Sequence, residues 1–540
     1  MREADYQTFY DRFTPSQVEQ QLVGNLNDGF NVCEEICDRW ADSGRIGLVY
    51  EGVERPAQEM TFAELTEASA RFANYLTSKG IGRGDRVAAL LPRTPELMVV
   101  ILGTFKAGAV YQPLFTAYGS GAIEYRLVTA STRLVVTDHV YRSKLSGVKR
   151  CPPVLAVSGA LAGDDDFSSV LAAQSPSFDP VRLTADEPFI QMFTSGTVGK
   201  AKGVAVPTRA ILSFYVYMRY AIDLRVDDNY WNVADPGWAY GLYYAVVGPM
   251  LLGNKTHFNE HSFTPESTYQ MIRKYNITNL AAAPTAYRLL MAHDQALDGS
   301  ESLGLRVANS AGEPLNPEVI HWAKRRLGCP VIDQYGQTET AMTCCNHHAL
   351  AHDSVGSMGV SLPGHRVVAL NRDFEELSEG GIGQLAVDMD ASPLFFFQGY
   401  TWGEKNPFKG KYYLTGDVAV SHGDGSFSFV GRNDDIISTA GYRVGPADVE
   451  SALLEHPAVA ESGVVGKPDS SRGAIIKAYV VIKPEYDPTI ELAEALKQLV
   501  RERLSAHAFP REIAFVDELP KTQSGKIQRF ILRNQAREEV

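Results

Sequence analysis

The first third of the chain alternates between helical and strand-like hydrophobic patterns. Leu65, Ala68, Phe72 and Tyr75 recur every three or four residues, and this spacing predicts an amphipathic helix over Phe62–Lys79. Continuous apolar runs between glycine and proline breaks then predict a turn at Gly80–Asp85, a strand at Arg86–Leu91, a helix at Pro95–Ala107 and a strand starting at Val110–Pro113. Alternating strands and helices predict an α/β fold with a largely parallel sheet.

The pattern changes between about residues 355 and 430. Short alternating segments between glycine-containing turns predict a β-rich subdomain with strands at Gln384–Asp388, Tyr412–Thr415 and Ser426–Val430. After Arg432 a compact unit follows, with helices predicted at Pro446–His456 and Ile490–Ser505 and strands at Glu461–Gly466, Ala474–Ile482 and Glu512–Val516. We therefore predict a large N-terminal domain of stacked mixed and parallel sheets with helices (residues 1–432) and a small mobile α+β C-terminal domain (residues 433–540).

Composition and charge narrow the functional class. The 540 residues are 45% hydrophobic and 21% charged, which is typical of a globular protein, and the net charge of −13 argues against a nucleic-acid partner. The acidic N-terminus does not resemble a secretory signal, and apolar runs such as Met98–Phe105 are too short to span a membrane. We expect a cytoplasmic protein without a membrane partner, either a monomer or a homo-oligomer.

The cysteines give no sign of a disulfide framework or a zinc site. The six are Cys33, Cys37, Cys151, Cys329, Cys344 and Cys345, which are few for this length, so we expect reduced thiols. The run from Cys344 to His348 resembles a metal cluster in composition. Adjacent side chains cannot easily surround a tetrahedral ion, so we expect this segment to form pocket wall instead.

A loop rich in glycine, hydroxyl and lysine side chains follows the strand predicted at Pro188–Phe193. Phe193–Gly203 reads FTSGTVGKAKG, and its glycines allow successive N–H groups to face an oxyanion while hydroxyls and lysines add donors and charge. The chemistry suits a triphosphate, although the spacing differs from GxxxxGK[ST] and no GxGxxG occurs in the chain. A flexible surface loop is the alternative interpretation.

Two more segments follow predicted strands. Ala311–Pro314 comes after Leu305–Asn309, and Asp333–Glu339 (DQYGQTE) comes after Pro330–Ile332. The carboxyl ends of strands are where α/β proteins bind ligands. In the second segment Tyr335 offers a face to adenine, Gly336 allows close approach of the backbone, Thr338 can donate to phosphate and Glu339 can hold Mg²⁺ through oxygen. A polar loop with a buried tyrosine is the alternative.

Two later segments carry charge. Asp417 ends the predicted strand in YLTGD, where a carboxylate can accept ribose hydroxyls or merely cap a turn. Lys521–Ile527 (KTQSGKI) reads, taken alone, as a solvated basic tail. These segments appear in the order of the signatures of the adenylate-forming superfamily, over nearly the whole chain, and the chain most resembles acyl-CoA synthetases of the acetyl- and medium-chain branch.

The resemblance implies ATP, Mg²⁺ and coenzyme A and assigns roles to residues. The implied catalytic residues are Lys526, Thr338 and Glu339, with Glu339 also holding the metal. The implied nucleotide-site residues are Thr194, Ser195, Gly196, Thr197, Lys202, Gly312, Glu313, Pro314, Asp333, Gln334, Tyr335, Gly336, Gln337, Asp417 and Arg432. Lys526 would bridge the substrate carboxylate and the α-phosphate, where a cation stabilises the negative charge of the transition state.

The same resemblance implies a second half-reaction and a hinge. Gly441 would lie against the pantetheine arm of coenzyme A and Arg443 would serve thioester formation, after the C-terminal domain rotates about Asp434. Arg126 and Arg501 stand where related synthetases place basic residues near the nucleotide end of coenzyme A, although each also reads as an ordinary surface arginine. Acetylation of Lys526 by a lysine acetyltransferase would remove the charge that adenylation requires.

The acyl pocket is assigned by resemblance to Trp238, Ala239, Tyr240, Ala311 and Gly336. Acetate-specific members carry tryptophan where this chain has Gly336, so the glycine predicts an open pocket and an acid larger than acetate: short branched, medium-chain or aromatic. Tyr240 narrows one wall. The alternatives are an adenylation enzyme that loads a carrier protein, a luciferase-like oxidase, and a non-catalytic nucleotide sensor.

Overall fold

The computed structural model describes residues 3–194, 201–294, 303–346, 356–402, 406–439, 442–469, 472–504, 508–522 and 526–539. The α-helices are α1 (Glu3–Asp11), α2 (Ser16–Glu19), α3 (Val32–Ile36), α4 (Phe62–Ser78), α5 (Pro95–Lys106), α6 (Ser120–Thr129), α7 (Arg142–Leu145), α8 (Phe167–Ala172), α9 (Ala210–Val216), α10 (Ala239–Gly241), α11 (Gly248–Leu251), α12 (Pro265–Lys274), α13 (Pro284–Ala292), α14 (Pro317–Arg326), α15 (Pro446–Leu454), α16 (Ile490–Arg503) and α17 (Arg529–Glu538). Short 3₁₀ or π-helical turns lie at Asp38–Ser43, Tyr217–Ala221 and Leu242–Val247.

The strands of the N-terminal two thirds are β1 (Ile46–Glu51), β2 (Gln58–Thr61), β3 (Arg86–Leu90), β4 (Val110–Pro113), β5 (Leu134–Thr137), β6 (Val154–Ala156), β7 (Asp165–Asp166), β8 (Pro188–Thr194), β9 (Lys202–Pro207), β10 (Tyr230–Asn232), β11 (Thr256–Asn259), β12 (Asn279–Ala282), β13 (Val307–Ala311), β14 (Val331–Gln337) and β15 (Ala341–Cys345). The later strands are β16 (Ser357–Ser361), β17 (Val367–Leu370), β18 (Ile382–Asp388), β19 (Tyr400–Trp402), β20 (Phe408–Lys409), β21 (Tyr412–Ser421), β22 (Phe427–Arg432), β23 (Ile437–Thr439), β24 (Tyr442–Val444), β25 (Val459–Asp469), β26 (Gly473–Ile482) and β27 (Glu512–Phe515).

Two large sheets organise the N-terminal region. One has the order β19-β9-β8-β4-β3-β5-β6-β7 and is parallel from β8 to β7. The other runs β10-β12-β13-β14-β15-β16-β22-β21-β18-β17, with β20 on β21. It is parallel from β10 to β14 and antiparallel from β14 onward. The predicted α/β fold with mixed and parallel sheets is confirmed.

The β-rich region continues the second sheet. Strand β16 pairs with β15 through Cys344 and Ser361, so the strands predicted after residue 355 extend the α/β sheet. The first predicted helix is found at nearly the predicted bounds, because Thr61 and Glu64 form a capping box at its start and its apolar stripe is buried. In the next helix Pro95 takes the first helical position, as its fixed φ favours.

The C-terminal unit has its own apolar core. Strands β25, β26 and β27 form a sheet, and Val449, Leu453, Leu496 and Val500 of α15 and α16 pack on it. The helices and strands predicted here are found within a few residues of their expected bounds. The domain boundary at Arg432 remains a prediction. Across the described ranges, the helices are all too short or too polar to cross a lipid bilayer.

Candidate active site

The candidate site lies where β13 and β14 end. Asp333–Gln337 were expected in a loop after a strand, but they form the second half of β14 itself. The strand continues because β15 folds back on it, pairing Gln334 with Cys345 and Gln337 with Ala341. Only Thr338, Glu339 and Thr340 turn between the two strands. The hairpin therefore holds the predicted adenine and phosphate residues on a rigid edge.

A buried carboxylate anchors the centre of the site. Asp417 is 4% exposed and lies opposite Arg432 in the β21–β22 pair, with Arg432 Nη1 donating to Oδ1 at 3.0 Å. Its Oδ2 accepts from the Tyr335 hydroxyl at 2.6 Å and from Gln337 Nε2 at 2.8 Å. The expectation that Asp417 ends a strand was wrong, since β21 runs on to Ser421.

The charge state of Asp417 follows from these contacts. Burial raises the pKa of Asp417, and Arg432, Tyr335 and Gln337 oppose that rise by stabilising the carboxylate. Burial likewise disfavours the charged Arg432 guanidinium, but Asp417 and Asp434 outweigh it, so the Arg432 pKa is raised. The pair is thus a fixed polar anchor beside the face of Tyr335.

Glu339 is a second buried carboxylate, at the turn between β14 and β15. Its Oε1 accepts from the Tyr400 hydroxyl at 2.9 Å, and Lys202 Nζ lies 4.8 Å from the centre of the Tyr400 ring. Burial raises the Glu339 pKa, while Tyr400, Arg432 and Lys202 lower it. A carboxylate oxygen is a ligand that Mg²⁺ prefers, so this residue fits the metal-binding role.

The phosphate loop joins two paired strands. Thr194 ends β8 opposite Lys202, the first residue of β9. Phe193 stacks on Trp402 with ring centres 5.6 Å apart, which fixes the base of the loop. Ser195, Gly196 and Thr197 lie outside the described residues.

Lys526 reaches the N-terminal site. Its Cε lies 4.0 Å from the position that a Cβ on Gly312 would occupy, and Gly312 has φ +105°, which favours glycine. The Lys526 N–H donates to Thr522 Oγ1 at 3.0 Å, and the Thr522 N–H donates to the Lys526 carbonyl at 2.7 Å. The structure therefore brings together the residue that follows β13 and the predicted catalytic lysine, 214 positions later.

The segment after Gly312 contacts both domains. Glu313 accepts hydrogen bonds from Thr285 Oγ1 at 3.0 Å and from Arg288 Nη2 at 2.8 Å, and Pro314 follows it, half-buried. Asn316 Nδ2 donates to Ser451 Oγ of α15 at 3.1 Å. Glu313 is thus held by its own domain, while its neighbour Asn316 touches the other.

The structure describes only part of the segment predicted for thioester formation. Gly441 lies outside the described residues, and of Arg443 only the backbone is described, in β24 opposite Ser438. Strand β24 pairs antiparallel with β23, and α15 begins at Pro446, as predicted. Asp434 is exposed, with Oδ1 3.9 Å from Arg432 Nε.

The two loosely assigned arginines differ. Arg126 is buried, with its guanidinium 4.1 Å from the centre of the Tyr118 ring, so the surface interpretation was wrong for it. Arg501 is exposed on α16, over the Phe509 ring. Cys344 and Cys345 lie buried in β15, consistent with a wall, and burial raises the Cys344 pKa to about 12. His347 and His348 lie outside the described residues.

The predicted acyl-pocket residues lie in two neighbouring stretches of the fold, the start of α10 and the ends of β13 and β14. Trp238 packs on Phe115 with ring centres 5.1 Å apart, and Ala239 and Tyr240 begin the short helix α10. Ala311 is buried at the end of β13.

Gly336 has a backbone reason of its own, and its role in the acyl pocket stays a prediction. A Cβ at that position would lie 2.2 Å from the carbonyl oxygen of Ala341 and 2.5 Å from Cα of Met342. The missing side chain therefore makes room for strand β15, which approaches at a bulge between Tyr335 and Gly336.

Sequence reasoning missed Tyr217, Asn309 and Tyr400. Tyr217 begins the π-helical turn Tyr217–Ala221, and its hydroxyl donates to Gln334 Oε1. Asn309 was expected within a strand, and a polar residue inside a buried strand is the signal that marks it. Tyr400 carried no such signal.

The sequence is similar to those of known enzymes. The sequence model of the AMP-binding enzyme family matches residues 37–400, and that of the AMP-binding enzyme C-terminal domain matches residues 448–526. The acetyl-coenzyme A synthetase of Bacillus subtilis is 35% identical, over 98% of this chain and 94% of that protein. The mitochondrial acyl-coenzyme A synthetase ACSM3 of Mus musculus is 33% identical, over 96% and 92%.

A solved structure, the acyl-CoA synthetase of Brucella canis, is 48% identical with a TM-score of 0.80, covering 100% of this chain and 99% of that one. The family models match most of the chain, and the relatives align over nearly its whole length. The resemblance to adenylate-forming enzymes is thereby confirmed. The chain belongs to the AMP-binding enzyme family, among its acyl-CoA synthetases.

Proposed function

We propose that the protein is an AMP-forming acid–thiol ligase that couples ATP to acyl-CoA synthesis. A carboxylic acid and ATP give acyl-AMP and pyrophosphate, and acyl-AMP and coenzyme A then give acyl-CoA and AMP. The carrying observation is the position of Lys526 beside Gly312, at the edge formed by β13 and β14. The family membership and the relatives named as synthetases support the same reaction.

The first half-reaction needs charge compensation more than a protein nucleophile. The substrate carboxylate attacks the α-phosphorus, and the two anions repel each other as the transition state gathers negative charge. Lys526 supplies a cation where that charge develops. Glu339 would hold Mg²⁺, which would supply positive charge to offset that of the leaving pyrophosphate. Asp417 holds the ribose, and Tyr335 offers its ring to the adenine.

The second half-reaction requires a different face of the C-terminal domain. Lys526 lies at the N-terminal site. Arg443 is in another part of the C-terminal unit, the paired strands β23 and β24. Rotation about Asp434, which is exposed between β22 and β23, exchanges the two. Gly441 and Arg443 then serve the pantetheine thiol.

The acid is larger than acetate in this proposal. Support comes from the small side chains Ala239 and Ala311 and from the surrounding tyrosines, which offer apolar contact to a longer or aromatic acyl group. Each methylene lost from such a contact forfeits roughly 0.8 kcal/mol.

The decisive experiment measures AMP release with coenzyme A over acetate, butyrate, isobutyrate, hexanoate and benzoate. We expect kcat/KM for acetate to be lower than for at least one larger acid. Lys526→Ala should lower acyl-AMP formation by roughly 100-fold or more while ATP still binds. Unchanged adenylation in that variant would refute the role of Lys526. Transfer to a carrier protein but not to coenzyme A would favour a carrier-loading enzyme.

Three further properties are proposed: acetylation of Lys526, the cellular location and the oligomeric state. Lys526 is exposed in its turn, so a lysine acetyltransferase acting on it would switch adenylation off. Mass spectrometry of the native protein tests for the acetyl group. The cytoplasmic location and the choice between monomer and homo-oligomer stay predictions, which cell fractionation and light scattering would test.

A further inference from the structure

A row of buried polar side chains crosses the central sheet behind Tyr335. Asn279, Asn309 and Gln334 lie on the neighbouring strands β12, β13 and β14, and each is at most 2% exposed. Asn309 Nδ2 donates to Asn279 Oδ1 at 3.1 Å, and Gln334 Nε2 donates to Asn309 Oδ1 at 2.8 Å. Polar groups this deeply buried require partners, so the row forms one connected network.

The far end of the row fixes the direction of every bond. Asn279 Nδ2 donates to the carbonyl of Ile222 at 3.0 Å and lies 3.5 Å from a carboxylate oxygen of Asp228. A carbonyl and a carboxylate paired with Arg306 can only accept. Asn279 must therefore present its NH₂ to them and its oxygen to the next residue, and the same orientation is imposed on Asn309 and Gln334.

The near end of the row consists of two tyrosines. Gln334 turns its Oε1 towards the Tyr217 hydroxyl, which donates its proton there. Tyr217 is then left to accept, and the Tyr240 hydroxyl 3.4 Å away is its donor. In the described part of the chain, no other group donates to the Tyr240 hydroxyl oxygen. That oxygen accordingly keeps its lone pairs free and has no proton left to give.

Tyr240 is the one member of this row that is not fully buried. Tyr217 and Gln334 are 0% and 2% exposed, whereas Tyr240 retains accessible surface. Tyr240 follows Ala239 in α10, and both residues are assigned by resemblance to the acyl pocket. The row of hydrogen bonds therefore ends at a residue of the assigned pocket.

We propose that the Tyr240 hydroxyl accepts a hydrogen bond from the acyl group, so that the preferred acids carry a hydroxyl or amino substituent. The inference rests on the proposed function and names its substrate class. An acid without a donor leaves the Tyr240 oxygen desolvated and unpaired, and an acid with a methoxy group sets two acceptors against each other. Either mismatch weakens binding of the acyl group and does not affect binding of the nucleotide.

The test compares matched acids in the coupled assay with ATP and coenzyme A. The panel contains benzoate with its hydroxy, amino and methoxy derivatives at each ring position, and hexanoate with its hydroxy and methoxy derivatives. We expect at least one donor-bearing acid to exceed both its parent and its methoxy analogue by tenfold or more in kcat/KM. Tyr240→Phe should reduce that ratio to below about threefold.

Two variants separate this role from a general loss of packing. Tyr217→Phe frees the Tyr240 proton for donation, so methoxy acids should gain on hydroxy acids. Tyr75→Phe removes a tyrosine hydroxyl that donates to Asp165 at 2.7 Å in another part of the fold, and it should leave the ratio as it is. An unchanged ratio in Tyr240→Phe, or equal kcat/KM for parents and donor-bearing acids in the wild type, overturns the inference alone. Failure to form a thioester from any acid overturns the proposed function as well.

Discussion

At the scale of single residues, Asp417 shows how one carboxylate serves both stability and binding. It pairs with Arg432 and accepts from Tyr335 and Gln337. Asp417→Asn removes the charge that Arg432 needs and turns an NH₂ group towards at least one of these donors. We expect KM for ATP to rise tenfold or more, since breaking a buried charged hydrogen bond costs about 2–5 kcal/mol.

A matched control separates binding from folding. Asp164 is as buried as Asp417 and is held by Arg142 Nε at 2.7 Å, in another part of the fold. Both Asp417→Asn and Asp164→Asn should lower the melting temperature, but only the first should raise KM for ATP. Equal KM values in the two variants would show that Asp417 acts on stability alone.

At the residue level the sequence suggests local chemistry but does not specify distant partners. A loop of hydroxyl and lysine side chains, the Asp417 carboxylate and a lysine near the C-terminus each suggest a role from a few neighbouring residues, and these roles stay predictions. The partner of Asp417 is Arg432, opposite it only because β21 and β22 pair in one register. Tyr400 reaches Glu339 across 61 positions, and nothing in the pattern specifies such a contact.

At the scale of elements, the β14–β15 hairpin constrains position 336. Gly336→Ala places a Cβ against the Ala341 carbonyl, and overpacking of this kind costs about 1–3 kcal/mol. We expect a lower melting temperature and, for Gly336→Trp, loss of activity on all acids instead of a shift towards acetate. Gly121→Ala, whose Cβ would meet open space, is the control. A folded Gly336→Trp protein with improved kcat/KM for acetate would show instead that the residue at position 336 sets the size of the acyl pocket.

The β-rich strands carry an acid-sensitive ion-pair network. The Arg366 guanidinium lowers the pKa of Glu376 to about 2, and Lys411 and Tyr412 add to the effect, linking β17 to β21. Because the pKa is lower than the value of about 4.3 in an unfolded chain, the stabilisation is complete above that pH and is lost as pH falls towards 2.

Thermal unfolding across pH tests this network. The melting-temperature loss in Glu376→Gln should be largest near pH 7 and should shrink below pH 4.5. Glu375→Gln, which loses only a hydrogen bond from Asn371, should show a smaller and flatter difference. A loss in Glu376→Gln that is independent of pH would contradict the electrostatic explanation.

Element prediction followed local periodicity well. The helix expected at Phe62–Lys79 and the strand expected at Arg86–Leu91 each differ from the structure by one residue at the end. The agreement is close because helix caps, apolar periodicity and glycine breaks depend on neighbouring residues. The strand expected at Pro330–Ile332 was five residues too short at its end, since its continuation depends on pairing with β15, which the local pattern does not specify.

At the scale of the whole molecule, the two domains are in the arrangement that presents Lys526. Lys526 Cε lies 4.0 Å from the position that a Cβ on Gly312 would occupy, and Asn316 of the N-terminal domain donates to Ser451 of the C-terminal unit. If one site performs both half-reactions, this contact must break between them. Joining positions 316 and 451 should therefore separate the two steps.

The variant Asn316→Cys/Ser451→Cys, closed by oxidation or by a short bis-thiol reagent, makes that separation measurable. We expect acid-dependent pyrophosphate release to persist for a single turnover, because Lys526 stays in place, while acyl-CoA formation falls by at least 100-fold. Reduction should restore both steps in the oxidised form, and each single cysteine variant should behave as wild type. If the cross-linked protein formed acyl-CoA at the wild-type rate, thioester formation would not need the domains to move, and Asp434 would lose its role as a hinge.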